Sequence, residues 1–512
     1  MKPLKVLNVF ARSRTPPLDE GDPISIPSKD EKGNNHDPLP DPDVGLNVEE
    51  RAQLDKKLVR KLDWKLIPWL SLLYLISFLD RANIGNARIY GLEEDLGMSD
   101  TQYSIALTVF FISYSVFEPA TNVMLKQFRP RIFIPAIMVV WAIIMTCMGL
   151  VQNYGGLLAA RFLLGMAEAG LFPGVNYYLS CWYKRSEFGV RAAIFFSAAA
   201  FAGSFGGLLA AAIAQMDGVG GKPGWAWIFI LEGLASICFG IASYWMVQDF
   251  PSDATFLDEK EKLRVLRRLR ADKQASSKHE KYHNTFAKQA LSDWKTYLFM
   301  IIYGGSAGSL YAYSLFLPTI IKEMGYTSTK ANLLSVPPYA AAAVLTILVG
   351  WHADKTNKRA RANTAIPLLA VIGFAMLLGS DNAGVKYTGT YLAALGIYPT
   401  ISNTITWASN NVEGVFKRGI VLGMVIGWGN LNGIVASNIY KAQDGPRFIV
   451  GHSVVLAYIV VFLFGGSVVT AVSLTTENKK RRNGQRDHWV EGKSPDEVEQ
   501  RGDKRPDFIY VV

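Results

Sequence analysis

About a dozen apolar stretches, each roughly 20 residues long and separated by short polar turns, run through this chain from residue 66 to residue 474. A helix of about 20 apolar residues crosses roughly 30 Å of hydrocarbon, and within that medium the backbone must satisfy all of its own N–H and C=O groups. The expected fold is therefore all-α and polytopic, with twelve transmembrane helices. The spans lie near 66–87, 103–125, 132–151, 156–180, 192–215 and 226–247, then near 296–321, 331–351, 364–380, 387–410, 419–439 and 452–474. With 50% of its residues hydrophobic and only 19% charged, the chain is too evenly apolar for a soluble multidomain enzyme.

The formal net charge of +10 is spread by loop and forms no single patch, which argues for topology and against nucleic acid. One alternating set of loops carries Lys126, Arg129 and Arg131, then Lys184 and Arg185, then Lys355, Lys358, Arg359 and Arg361, then Lys417 and Arg418. The other set is poorer in Lys and Arg and includes the acidic turn Glu93, Glu94, Asp95. An excess of positive charge on the inner side puts both termini and the long middle loop in the cytoplasm. Cys147, Cys181 and Cys238 fall in or beside apolar stretches, where a thiol acts as a small hydrophobe, so neither a disulfide framework nor a metal site is expected.

Composition also divides the chain. Residues 1–48, rich in Pro and Asp, bring too little apolar surface to fold alone and read as a disordered cytoplasmic tail. Val48 to Lys65 places Leu54, Leu58 and Leu62 at helical spacing, either as an interfacial lead-in or as a solvated helix. Residues 249–295 lack a span and are dense in Lys and Arg, with a helical run from Asp258 to Arg270, which reads as a linker near anionic lipid. The linker separates residues 49–248 from residues 296–476, and residues 477–512 form a second cytoplasmic tail. Six spans, a basic linker and six more spans is the plan of transporters built from two pseudo-symmetric six-helix bundles around a midplane site.

Four ionisable side chains interrupt the apolar runs of the first half: Asp80, Arg81, Arg161 and Glu168. Each costs about 3 kcal/mol or more near the bilayer centre, so such residues usually line a solute path. Arg161 and Glu168 lie two helical turns apart on one face, about 10 Å along the axis, too far to pair directly. With the first helix running outward and the fourth inward, Asp80 is expected to neutralise Arg161, leaving Arg81 and Glu168 facing a cavity. Two cations and two anions balance when the site is empty, and an arriving carboxylate leaves one negative charge uncompensated in low dielectric. A proton removes it. Proton coupling therefore falls to Glu168, with Asp80 in support, and substrate binding to Arg81 as the carboxylate clamp and to Arg161. Glu118 and Glu232 read as structural acids near helix ends.

The run Leu79-Asp80-Arg81-Ala82-Asn83-Ile84-Gly85-Asn86-Ala87 and the pattern Arg161, Gly165, Glu168-Ala169-Gly170, Phe172-Pro173-Gly174 resemble the fungal allantoate and nicotinate permeases of the major facilitator superfamily, in its anion:cation symporter family. Trp182-Tyr183-Lys184-Arg185 and Gly224-Trp225-Ala226-Trp227 through Glu232-Gly233 add to the likeness, which covers residues 50 to 478. In the second half, Gly350 through Asp354-Lys355 to Asn357-Lys358-Arg359 resembles the acidic-basic loop motif of that superfamily. Asp354 there could face the N-terminus of a neighbouring helix, so Gly350, Asp354, Lys355 and Arg359 are expected to act as a conformational latch. The equivalent stretch of the first half, Asn122 to Arg131, has no acid. The resemblance implies proton-coupled uptake of a small organic anion such as nicotinate, pantothenate, biotin or allantoate, with related symporters using the matching Asp-Arg and Arg-x6-Glu positions.

Substrate selection is assigned to the second bundle, where Trp407 and Asn430 stand out among Tyr303, Tyr311, Tyr313, Tyr339, Asn403 and Asn410 as groups suited to a flat heteroaromatic acid. Gly304-Gly305-Ser306-Ala307-Gly308 matches a nucleophile-elbow pattern, but it lies in an apolar helix with no preceding strand. No phosphate loop or zinc pattern is present, so no enzyme and no cofactor are expected. The fifth span reads Ala202-Gly203-Ser204-Phe205-Gly206-Gly207 and lacks the Gly-Pro of drug exchangers, which favours uptake. Efflux of an acidic metabolite and a sensor that no longer transports are the alternatives. The expected setting is a monomer in the plasma membrane, in contact with lipid.

Overall fold

In a computed structural model the described residues are 40–271, 284–492, 494, 497–498 and 501–512. The expected tail before residue 40 and the middle of the basic linker lie outside them, as do the side chains of Lys126 and Arg185. Among the described residues are twelve long helices: α1 Val48–Arg88, α2 Asp100–Gln127, α3 Pro130–Met148, α4 Tyr154–Ser180, α5 Arg185–Ile213 and α6 Gly224–Met246, then α7 Trp294–Lys322, α8 Ser328–Thr356, α9 Arg359–Gly379, α10 Ala383–Asn410, α11 Val415–Ala436 and α12 Ile449–Arg482. An even number of passes brings the start of α1 and the end of α12 to one end of the molecule, called here the terminal end.

Ten of these helices are long and apolar enough to cross a membrane on length and composition alone; α7 and α10 are not among them. These two are the most enclosed by protein, with every residue from Ile302 to Pro318 and from Gly396 to Ser409 buried. Facing neighbouring helices and not lipid, they tolerate Ser, Thr, Asn and Tyr.

Local chemistry sets the helix starts. Asn47 caps α1, accepting from the Glu50 N–H at 2.8 Å while the Glu50 carboxylate accepts from the Asn47 N–H at 3.0 Å. The expected lead-in and the first span are thus one continuous helix of 41 residues. Ser99 and Gln102 close the same kind of box on α2.

The packing repeats itself six helices on. The α1–α5 contact is matched by α7–α11, α2–α4 by α8–α10, and α3–α6 by α9–α12. Between the halves, α5–α8 is matched by α2–α11. This is the pseudo-two-fold plan of two six-helix bundles.

Two polar segments dock at the terminal end. The linker helix Glu259–Ala271 buries Val265 and Leu269 and ties itself to the first bundle, with Arg268 pairing to Asp55 (3.2 Å) and to Glu187, Lys61 to Glu261 (2.6 Å), and Arg264 to Asp43. Beyond α12, where the sequence reads as a tail, residues 501–512 turn back under the second bundle. Asp503 there accepts from Lys295 at 2.5 Å and Lys417 at 2.6 Å, and Tyr510 exchanges two 2.8 Å hydrogen bonds with Asn478.

Candidate functional site

Ser77 and Arg81 lie four residues apart on α1, hence on one helical face, and both reach Glu168 on α4. The Arg81 Nη2 donates to Glu168 Oε1 at 2.9 Å and the Ser77 hydroxyl donates to the same oxygen at 2.5 Å. Asp80, Arg81, Arg161 and Glu168 are 0%, 5%, 1% and 1% exposed, so none of the four faces lipid. Two glycines allow the close approach. A Cβ at Gly85 would stand 2.5 Å from the Leu315 carbonyl oxygen of α7, and one at Gly165 would collide with the Phe110 carbonyl and the Ser113 hydroxyl of α2.

The expected pairing of these four groups is corrected by the structure. Arg81 and Glu168 pair with each other and are not left open. Asp80 does not neutralise Arg161; its Oδ2 accepts from Trp141 Nε1 at 3.1 Å and Ser236 Oγ at 2.9 Å, inside the first bundle. The reason is helical rotation, because adjacent residues point about 100° apart, so Arg81 facing the bundle boundary turns Asp80 toward α3 and α6. The guanidinium of Arg161 lies over the Phe110 ring, 5.8 Å from its centroid, and its Nε and Nη2 have no hydrogen-bond partner among the described residues.

From Arg81 the contacts cross into the second bundle. Its Nη1 donates to the Tyr311 hydroxyl at 3.1 Å, that hydroxyl donates to Asn430 Oδ1 at 2.6 Å, and Asn430 Nδ2 donates to Glu118 Oε2 on α2 at 2.8 Å. The rings of Tyr114, Phe110 and Tyr311 surround the guanidinium at 4.7, 5.4 and 5.8 Å. Asn430 is thus at the centre. Trp407 is not: its indole N–H donates 2.8 Å to the Val511 carbonyl and its ring meets Phe299, under the second bundle at the terminal end.

Ser77 is not among the expected site residues, and Glu118, expected as a structural acid near a helix end, instead bonds to Asn430 of the second bundle. Spacing of four from Arg81 was the available signal for Ser77. For Glu118 it was an acid within an apolar span, the same signal that marked Glu168. The other such acid, Glu232, accepts a hydrogen bond from Asn83 within the first bundle.

At the terminal end, Asp354 Oδ2 accepts from the backbone N–H of Val190 in the second turn of α5 at 2.6 Å, and Oδ1 accepts from Arg359. Gly350 lies against Ala193, where a Cβ would collide. Lys355 turns away toward the Trp351 ring, 5.1 Å from its centroid, and takes no part. At the far end, Ser328 Oγ donates to the Ile89 carbonyl at 2.9 Å and Asn438 Nδ2 to Thr108 Oγ1 at 2.9 Å. The bundles therefore touch on both sides of the central groups.

The sequence matches the family described as Major Facilitator Superfamily over residues 70–437. An uncharacterized transporter of Schizosaccharomyces pombe is 36% identical over 92% of this chain and 95% of its own length. The high-affinity nicotinic acid transporter of Saccharomyces cerevisiae is 32% identical over 90% of this chain and 85% of its own length. Among solved structures, a bacterial homolog to the human lysosomal transporter Spinster, inward-facing and occupied, superposes with a TM-score of 0.58 at 16% identity, over 79% of this chain and 95% of that one. Matched across most of its length in sequence and in fold, and built of paired helical bundles with charges enclosed between them, the chain belongs to the major facilitator superfamily of membrane transporters and is not an enzyme.

Proposed function

We propose that the protein carries a small organic anion across its membrane together with a proton, by alternating access between the two bundles. The observation that carries this reading is the buried Arg81–Glu168 pair, with Arg81 Nε and Glu168 Oε2 both lacking a partner among the described residues. A substrate carboxylate competes with Glu168 for the planar donors of Arg81, which are matched to a carboxylate fork. Glu168, once displaced, is a buried carboxylate without a cation, and a proton relieves it. The Arg81–Glu168 pair carries no net charge when the site is empty, and protonation of Glu168 offsets the negative charge that the substrate brings.

Arg161, whose Nε and Nη2 have no partner among the described residues, supplies a second positive charge to the anion. The rings around Arg81 suit a flat heteroaromatic acid, in keeping with a nicotinic acid transporter among the relatives. The distribution of Lys and Arg among the loops favours both termini in the cytoplasm, and uptake across the plasma membrane by a monomer completes the reading.

The test is uptake of labelled nicotinate, pantothenate, biotin and allantoate by protein reconstituted in liposomes, with and without an acid-outside pH gradient. One of these acids should accumulate only with the gradient, and Glu168→Gln should abolish accumulation while sparing exchange. Accumulation that ignores the gradient, or that survives intact in Glu168→Gln, overturns the reading.

A further inference from the structure

Glu118 lies on α2 of the first bundle, 2% exposed, yet the one hydrogen bond its carboxylate makes among the described residues is to a residue of the second. Asn430 Nδ2 donates to Oε2, whereas Oε1 is buried with no partner among the described residues. The charged or titratable groups that bear on it are Arg81 from α1, Tyr303 and Tyr311 from α7, and Tyr114 from its own helix; α11 presents Asn430 and the backbone of Gly427. Among the described residues no cation pairs with it. A carboxylate that stays ionised in an apolar interior normally has a cation or several donors, and this one has a single neutral amide.

The chain of hydrogen bonds has a direction. Arg81 donates to Tyr311, Tyr311 to Asn430 and Asn430 to Glu118, while Arg81 also donates to Glu168. Two carboxylates thus end two arms that start at one guanidinium, one directly and the other across the boundary between bundles. An ionised Glu118 fixes the orientation of the Asn430 amide, and through it that of the Tyr311 hydroxyl. Separating α2 from α11 while Glu118 is ionised would strand a buried negative charge without a donor. A proton on the carboxyl removes that barrier.

We propose that Glu118 is a second proton-binding carboxyl, which ties α2 to α11 when ionised and releases them when protonated. The inference deepens the proposed function, since it rests on bundles that part during transport, and it adds a proton site on the first bundle distinct from Glu168.

The experiment is a pH titration of the purified full-length protein in lipid nanodiscs, followed in two ways. Infrared difference spectra report the C=O stretch of protonated carboxyls. Spin labels at Ile105 on α2 and Val435 on α11, both exposed, report helix separation. In the otherwise unmodified protein a carboxyl band should grow on acidification as the labels move apart. Glu118→Gln should lack one component of the band and show at neutral pH the separation of the acidified parent. Asn430→Ala should displace that component in pH. Should Glu118→Gln fail to fold, Glu118→Asp decides, since it keeps a carboxyl that falls short of Asn430: the band should remain while the separation no longer follows pH. A full band in Glu118→Gln, or a separation that follows pH as in the parent in either variant, overturns the proposal. Neither readout needs a substrate, so failure here is distinct from a failure to find gradient-driven uptake.

Discussion

Asp354 and Asp100 stand at opposite ends of the molecule and make the same two contacts. Each pairs through Oδ1 with an arginine of its own bundle, Arg359 or Arg88, and each accepts through Oδ2 a backbone N–H of the other bundle, from Val190 at 2.6 Å or from Ala442 at 3.0 Å. One carboxylate thus bridges the bundles at the terminal end and one at the far end. A hydrogen bond to a charged group contributes about 1.5–3 kcal/mol, enough to shift a two-state balance about 10- to 100-fold.

The two variants should therefore act in opposite directions. Asp354→Asn should favour opening at the terminal end and Asp100→Asn opening at the far end, each by roughly tenfold or more. Alkylation of single cysteines placed at either end measures this. A shift of both variants toward the same end would contradict the symmetrical arrangement.

Arg161 offers a prediction in which stability and function part company. A buried cation without a hydrogen-bonded partner opposes folding by about several kcal/mol, so Arg161→Met should leave the melting temperature unchanged or raise it. Binding of the transported acid should weaken at least about tenfold, the loss of a charge-assisted hydrogen bond. A drop in melting temperature would show that Arg161 holds the bundle together instead.

Trp407→Phe keeps an aromatic ring near Phe299 but loses the donor to the Val511 carbonyl and leaves a small cavity at a fully buried position. The expected effect is a loss of about 1–3 kcal/mol in stability with no change in apparent affinity for substrate. Substrate saturation curves check the second point, and a weakened affinity would return Trp407 to the site.

Asp503 sits between the ammonium groups of Lys295 and Lys417. Burial pushes its carboxyl up, but the two lysines outweigh this and hold it below the usual carboxylate value. A lowered folded-state value means the contribution to stability is complete above the unfolded value of about 4 and is lost as the pH falls through the folded value. The melting temperature should fall in acid, and less steeply in Asp503→Asn. At neutral pH that variant leaves two lysines sharing Asp293 and should lose about 3–5 kcal/mol. An unchanged neutral-pH melting temperature would show that residues 501–512 do not brace the second bundle.

The number of helices, the division into two halves and the burial of Asp80, Arg81, Arg161 and Glu168 away from lipid were legible in the residues themselves. Span length follows from apolar runs, and the expense of a charge in hydrocarbon marks Asp80, Arg81, Arg161 and Glu168 wherever their helices pack. The contact of Asp354 with a neighbouring helix near its N-terminus was legible through the resemblance of Gly350 to Arg359 to the acidic-basic loop motif, because an acid is favoured by the partial positive charge of a helix start. Who pairs with whom was not. That Arg81 meets Glu168 while Asp80 turns to Trp141 depends on the rotation of each helix about its axis. That Asn430 meets Glu118, and that Trp407 meets a returning C-terminal segment, depends on contacts 312 and 104 residues apart along the chain. Local composition decides what can enter a bilayer, and only the packing of one bundle on the other decides which buried charges share a partner.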